Sequence, residues 1–169
     1  MPLIKPHLKV LTYNTHLFGG SNIEIVRPFH KDPLIFEDDL RAEEIAARVA
    51  ALGADIVALQ EVWAYKRQHW FADRLSSVYP FSYFPQSALE PVDPRLTCGL
   101  VLLSKWPLAD QGFLMFSDLH GEDAMAKKGV VSATVLFDGR PPSTSLTNFR
   151  VGTAHAGTDM GGEPAAAMP

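Results

Sequence analysis

The stretch ADIVALQEVW at residues 54–63 decides the fold of this chain. Residues 55–59, DIVAL, are predicted to form a short buried strand, because four apolar residues follow Asp55. A helix-like stretch at residues 38–52 precedes it, and Gly53 suits the left-handed conformation at a helix end. A second buried strand is predicted at residues 8–13. Strand, helix and strand in this order indicate an α/β unit.

The helix at residues 38–52 has large apolar residues three to five positions apart, so we expect them on its buried face: Leu40, Ile45, Val49 and Leu52. A second helix is predicted at residues 64–78, with Trp70, Phe71, Leu75 and Val78 inward. Further strands are predicted in the second half of the chain, at residues 81–84, 100–103, 113–116, 130–137 and 149–155. Long connections are expected at residues 17–37 and 85–97.

Composition excludes several classes of protein. The 169 residues are 47% apolar and suit a single globular domain. A net charge of −4 without a basic run lacks the footprint of a dedicated nucleic-acid binder. The single cysteine, Cys98, excludes an intrachain disulfide and is expected to be a buried structural thiol. No signal-peptide core or membrane span is evident, so we expect a cytoplasmic protein, or a secreted one if a leader has been removed.

Three polar residues follow predicted buried strands, namely Asn14, Glu61 and His155. Ligands of open α/β sheets collect outside the carboxyl ends of strands. A carboxylate there can hold Mg²⁺, an amide can orient a phosphate, and an imidazole can transfer a proton. Taken singly, the same residues also suit a turn asparagine, a loop charge and a structural histidine. Together they form a partial set for metal-assisted phosphodiester hydrolysis.

Five motifs occur in the order and rough spacing of a known family: LTYNT (11–15), ALQEVW (58–63), CGLVLLSKWPL (98–108), KKGVVSATV (127–135) and VGTAHAGTD (151–159). The chain thereby resembles the endonuclease/exonuclease/phosphatase superfamily, and within it the neutral, bacterial-type sphingomyelinases. The resemblance implies a DNase I-like α/β fold, a sandwich of two β-sheets flanked by helices.

The resemblance also implies roles for individual residues. Glu61 would be the main protein ligand of Mg²⁺, or of another divalent cation such as Mn²⁺. Asn14 would orient the phosphate and support Glu61, and His155 would stabilise the transition state. Lys105, in the loop after its strand, is a further candidate for phosphate contact, although a solvated loop lysine is the commoner case.

The sequence departs from the family pattern in two places. The family has Thr directly before its catalytic His, whereas Ala154 separates Thr153 from His155. The Gly-Asp-x-Asn and Ser-Asp-His motifs of the family are not in these 169 residues. We therefore expect residues 1–158 to be the N-terminal portion of such a domain, incomplete at the C-terminus, and residues 159–169 to be an unstructured tail.

The leading interpretation is a metal-dependent phosphodiester hydrolase that acts on a phospholipid in the manner of sphingomyelinase C, truncated and weakly active or inactive alone. The first alternative is a DNase I-like nuclease fragment. The second is a non-catalytic remnant that binds a partner, or a second copy of itself, through an exposed sheet face. Aromatic residues at 63–84 suit lipid contact or, more simply, the core.

Overall fold

The computed structural model describes residues 8–17, 38–85, 97–117, 127–137 and 149–154. Within them the chain forms nine elements, in the order β1 (Val10–Leu17), α1 (Asp38–Leu52), β2 (Ile56–Val62), α2 (Tyr65–Arg74), β3 (Phe81–Tyr83), β4 (Val101–Ser104), β5 (Leu108–Met115), β6 (Gly129–Val135) and β7 (Phe149–Ala154). No described helix is long and apolar enough to cross a bilayer.

The first sheet has four strands in the order β1-β2-β4-β3. β1 and β2 are parallel, and α1 lies between them in the chain as the crossover that parallel strands require. β4 returns antiparallel to β2, and β3 is antiparallel to β4. The predicted strand–helix–strand unit is therefore confirmed, and β2, which contains the apolar residues 56–59, is an inner strand of this sheet.

The second sheet is antiparallel and has the order β5-β6-β7. The close approach of β5 and β6 depends on Gly129, at the start of β6. A Cβ atom at this position would lie 2.3 Å from the main-chain oxygen of Leu114 in β5, so a side chain does not fit. The predicted strands at 113–116 and 130–137 are present, and β5 begins five residues earlier than expected.

Two apolar layers join these elements. Helices α1 and α2 pack on one face of the first sheet, with Phe71 and Leu103 fully buried between them. The other face meets the second sheet through a smaller cluster, which contains Ala58, Cys98, Leu100, Leu102, Val131 and Ala133. Helices, sheet and sheet thus form three layers, as the α/β sandwich predicts. Cys98 is a buried free thiol, as expected.

The predicted inward face of α1 is partly wrong. Leu40 and Leu52 are 74% and 51% exposed, and the residues that pack inward are Ala42, Ile45, Ala46 and Val49. Their spacing of three, one and three residues gives one continuous helical stripe. Small alanines complete that stripe because they let the helix approach the sheet closely, whereas Leu40 lies on the opposite side of the helix.

Other boundaries also differ from the predictions. α2 ends at Arg74, four residues early, and residues 75–78 form turns that still bring Leu75 inward. β1 runs to Leu17, because a second stretch of pairing with β2 follows an irregularity after Asn14. Most of the expected connections at 17–37 and 85–97, and the tail at 159–169, lie outside the described residues.

Candidate active site at the end of the first sheet

The polar site begins with an irregularity in the β1–β2 pairing. The two strands are in regular register from Val10 opposite Ile56 to Asn14 opposite Gln60, and the register resumes with Leu17 opposite Val62. Two residues of β1 thus face a single residue of β2, Glu61, which is the geometry of a β-bulge. Both His16 (φ 50°) and Glu61 (φ 60°) have left-handed backbones. A non-glycine residue in this backbone conformation lowers the stability of the fold by about 1–3 kcal/mol.

This irregularity brings three polar side chains together. The Nδ2 of Asn14 donates a hydrogen bond of 2.8 Å to Oε1 of Glu61. The Nδ1 of His16 lies 3.0 Å from the other carboxylate oxygen, Oε2. The main-chain N–H of His16 donates to Oδ1 of Asn14 at 3.0 Å. Both oxygens of Glu61 are therefore held, and its side chain is only 13% exposed.

Buried neighbours hold the two strands at this point. The hydroxyl of Thr15, which is fully buried, donates to the carbonyl of Gln60 at 2.9 Å. Gln60 in turn donates from Nε2 to the hydroxyl of Thr12 at 3.0 Å. The Thr15 bond joins the strands where the register shifts and the Gln60 bond joins them just before it, so the bulge is held on both strands.

Trp63 follows Glu61 by two residues and is buried. Its buried indole packs over Gly99, where a Cβ atom would lie 3.0 Å from the ring. Gly99 also has φ 71°, and its carbonyl accepts a hydrogen bond of 3.0 Å from the N–H of Val62. The glycine in the CGLVLLSKWPL motif is thus needed twice, for its backbone conformation and for the room it leaves to Trp63.

The strand that leads to His155 ends at the same edge of the molecule as Glu61. β4 runs back from this edge, and its last residue, Ser104, pairs with Ile56. β5 starts four residues later and runs toward the Glu61 edge. Its first residue, Leu108, pairs with Val135, and its last residue, Met115, pairs with Gly129. The Gly129 end of β6 therefore lies at the Glu61 edge. β7 is antiparallel to β6 and finishes at Ala154, opposite Val130. His155 itself lies outside the described residues.

Lys105 is not brought to this edge. Its Nζ donates to the carbonyl of Gly53 at 2.9 Å and lies 3.3 Å from Oδ1 of the buried Asp55. Asp55 directly precedes β2, and Glu61 lies six residues further along. At about 3.3 Å per strand residue, the two carboxylates are roughly 20 Å apart. The described contacts of Lys105 are therefore with the start of β2.

Cys98 lies near this edge but has no features of a nucleophile. Burial raises the pKa of its thiol from 9.0 to about 11. A thiol with so high a pKa is neutral near pH 7, and the thiolate is the reactive form. The expected structural role of Cys98 in the core between the sheets agrees with this chemistry.

A family model described as the endonuclease/exonuclease/phosphatase family matches residues 11–164. The chain belongs to this family. The match includes all five sequence motifs and the whole of the edge formed by Asn14, His16 and Glu61. No curated protein sequence gives a significant match to the chain.

Solved structures of similar fold include a sphingomyelinase C and a beta toxin. Sphingomyelinase C from Streptomyces griseocarneus has a TM-score of 0.69 and 25% identity, over 96% of this chain and 53% of that chain. A beta toxin variant from Staphylococcus aureus with bound magnesium ions has a TM-score of 0.64 and 19% identity, over 88% of this chain and 49% of that chain. The family member described here thus spans about half the length of the structures it matches.

The donor set at this edge fits a hard divalent cation. Within the described ranges, no three His, Cys, Asp or Glu side chains lie close enough together to hold a metal ion. Mg²⁺, however, is commonly held by one or two carboxylates and completed by water and substrate phosphate. Glu61 is one such carboxylate, and its side chain is held in the fold by Asn14 and His16.

His16 is the site residue that the sequence interpretation missed. The strand was expected to end at Tyr13, so the following residues were read as a loop. In a strand, residues two positions apart point to the same side, and Asn14 and His16 have this spacing. A strand extended to residue 17 would have placed His16 beside Asn14.

Proposed function

We propose that this chain supplies the metal-binding edge of a phosphodiesterase that hydrolyses phospholipid diesters in the manner of sphingomyelinase C. The observation that carries the proposal is the Glu61 carboxylate, held at both oxygens by Asn14 and His16 on a left-handed backbone. Backbone strain of this kind persists where the surrounding structure fixes it, and it clusters at functional sites. Family membership and the likeness to sphingomyelinase C support the reaction class.

Each residue of the site has a distinct proposed task. Glu61 would hold Mg²⁺ or Mn²⁺ through its carboxylate, in keeping with the magnesium ions bound to the beta toxin structure. Asn14 would keep the carboxylate oriented through Nδ2 and contact the phosphate. His155 would stabilise the pentacoordinate transition state, in which negative charge lies on the phosphoryl oxygens. When bound, the ion supplies Lewis-acid stabilisation of a phosphoryl oxygen.

The rate of the isolated chain should be low. The Gly-Asp-x-Asn and Ser-Asp-His motifs, which the sphingomyelinase resemblance assigns to water activation, are not in its sequence. Loss of one member of a catalytic set commonly lowers the rate by orders of magnitude. A nuclease of the DNase I type remains the first alternative substrate class, and the net charge of −4 gives it no electrostatic support.

The proposal is tested by hydrolysis of sphingomyelin, of a chromogenic phosphodiester and of DNA by the purified chain, with Mg²⁺ and with chelator. We expect slow, Mg²⁺-dependent hydrolysis with preference for the choline lipid. Glu61→Gln keeps the shape of the side chain and removes its charge, and it should reduce the rate at least about 100-fold.

The matched control is Glu44→Gln, which changes an exposed carboxylate of α1 that pairs with Arg48. This variant should keep the rate of the unchanged chain. Hydrolysis that survives chelator or the Glu61→Gln substitution contradicts the proposal. A preference for DNA would support the nuclease alternative.

A further inference from the structure

Arg41, on the first turn of α1, reaches from the helix layer to the bulge in β1. Its guanidinium donates from Nη2 to the carbonyl of Thr15 at 2.9 Å and from Nη1 to the carbonyl of His16 at 3.0 Å. Nη1 also lies 3.0 Å from Oδ1 of Asp38, one turn earlier on the same helix. The Asp38 side chain is 2% exposed, so the ion pair is anchored in the protein.

The two carbonyls that Arg41 binds belong to the residues inserted at the bulge. The register with β2 is broken there, between Asn14 and Leu17. A guanidinium suits this task because it is planar and presents its N–H groups in a rigid fork. An ammonium group is a compact point charge and lacks that fork. Arg41 thus holds the left-handed backbone of His16 in place from outside the sheet.

From this bulge, a short series of contacts leads to both oxygens of Glu61. The N–H of His16 donates to Oδ1 of Asn14, and Nδ2 of Asn14 donates to Oε1 of Glu61. The imidazole of His16 is 3.0 Å from Oε2 of Glu61. A shift of the backbone at residues 15–16 would therefore move both neighbours of the carboxylate together.

We propose that Arg41, held by Asp38, is a positioning residue that fixes the Asn14–His16–Glu61 arrangement for cation binding. The cation-binding part of this inference rests on the proposed function. Arg41 itself touches neither the carboxylate nor any reacting atom, and it acts through the backbone of Thr15 and His16. The first turn of α1 is thereby an outer support of the site.

The test compares Arg41→Lys with Arg48→Lys. Arg48 lies on the same helix, is exposed and pairs with Glu44, so it controls for loss of a guanidinium on α1. A second control, Val49→Ala, destabilises the same helix through its buried face without touching the bulge. Each variant is assayed for amide hydrogen exchange of His16 without metal, and for Mn²⁺ affinity by electron paramagnetic resonance.

For Arg41→Lys we expect the amide of His16, which bonds to Asn14, to exchange at least about tenfold faster relative to the core amides. Mn²⁺ affinity should fall about 10- to 100-fold, the range seen when residues that orient a metal ligand are changed. Arg48→Lys and Val49→Ala should keep the affinity of the unchanged chain, although Val49→Ala lowers the unfolding temperature.

Unchanged exchange at His16 in Arg41→Lys overturns the inference, as does an equal loss of Mn²⁺ affinity in Val49→Ala. If the unchanged chain binds no Mn²⁺, the cation-binding part of the proposed function fails on its own account. In that case the amide exchange rate of His16 alone tests the role of Arg41. The rate must be faster in Arg41→Lys than in Arg48→Lys if Arg41 fixes the arrangement.

Discussion

The left-handed backbones at His16 and Glu61 show how single residues determine this site. Each would adopt an ordinary strand conformation at lower energy if the two strands paired regularly. In that case Glu61 would lie opposite Thr15, and the side chains of Asn14 and His16 would both point to the other face of the sheet, away from the carboxylate. The buried Thr15–Gln60 hydrogen bond and the Arg41 contacts offset the strain. The conformational cost is therefore coupled to the orientation of Glu61.

Cys98 gives a prediction at the same scale, because its pKa differs between the folded and unfolded chain. Burial raises the pKa of the folded thiol to about 11, against 9.0 when unperturbed. Above pH 9 the unfolded chain therefore loses a proton that the folded chain keeps. The free energy of unfolding should fall as pH rises, with about 1 kcal/mol lost between about pH 8 and about pH 10 from this group.

Urea unfolding of the unchanged chain and of Cys98→Ala at these two pH values measures this contribution. Burial also raises the pKa of Tyr79, so some loss of stability is expected in both proteins. The pH-dependent loss should be smaller in Cys98→Ala by about the thiol contribution. Equal losses in the two proteins would show that Cys98 titrates normally in the folded chain.

At the scale of elements, Lys105 connects the end of β4 to the start of β2. Its ammonium group bonds to the carbonyl of Gly53 and pairs with Asp55, which is buried. Lys105→Met would leave the Asp55 carboxylate without this cation and should destabilise the fold by about 2 kcal/mol, since removal of one hydrogen-bonding partner of a buried polar group costs about 1–3 kcal/mol. Because these contacts lie far from Glu61, Mn²⁺ affinity should not change.

Thermal and urea unfolding, together with Mn²⁺ binding, check this expectation. Lys66→Met is the matched control, since Lys66 is an exposed lysine on α2. It should alter neither stability nor affinity. A loss of Mn²⁺ or phosphodiester binding in Lys105→Met without a loss of stability would instead support the phosphate role that the sequence suggests for Lys105.

The sequence predicts elements well where periodicity and length agree. The helix predicted at 38–52 matches α1, and the strands predicted at 55–59 and 130–137 overlap β2 and β6 over most of their length. The end of β1 could not be predicted, because its last residues are polar and their pairing depends on a bulge. The buried face of α1 was predicted with Leu40 in it because large apolar residues dominate the periodicity. Alanines contribute little to that pattern, although Ala42 and Ala46 are the residues that pack against the sheet.

The candidate site also contains residues that the sequence identifies and residues that it does not. Asn14 and Glu61 were found because both follow apolar runs, and the structure brings them within hydrogen-bonding distance. His16 and Arg41 were missed because their roles arise from tertiary contacts at the bulge. The motif that contains Lys105 correctly marks the end of a strand. The motif alone does not say whether that strand end lies at the Glu61 edge of the sheet or at the opposite edge.

On the scale of the whole molecule, each described sheet has an edge strand with exposed apolar side chains. β1 is first in the order of the four-stranded sheet and exposes Val10 and Tyr13. β5 is first in the order of the three-stranded sheet and exposes Leu114 and Met115, with Leu114 at 70%. Edge strands with apolar side chains are templates for pairing with another chain.

We therefore expect the chain to self-associate in a concentration-dependent manner, and a charge at either edge to reduce association. Light scattering with size-exclusion chromatography should give a rising mass with concentration for the unchanged chain and a lower mass for Val10→Lys and Leu114→Lys. Lysine on an edge strand opposes pairing because its charge must be desolvated. Leu40→Lys is the matched control, since Leu40 is equally exposed but lies on α1, and it should leave the mass unchanged. A constant monomer mass, or an equal effect of Leu40→Lys, would show that the strand edges do not drive association.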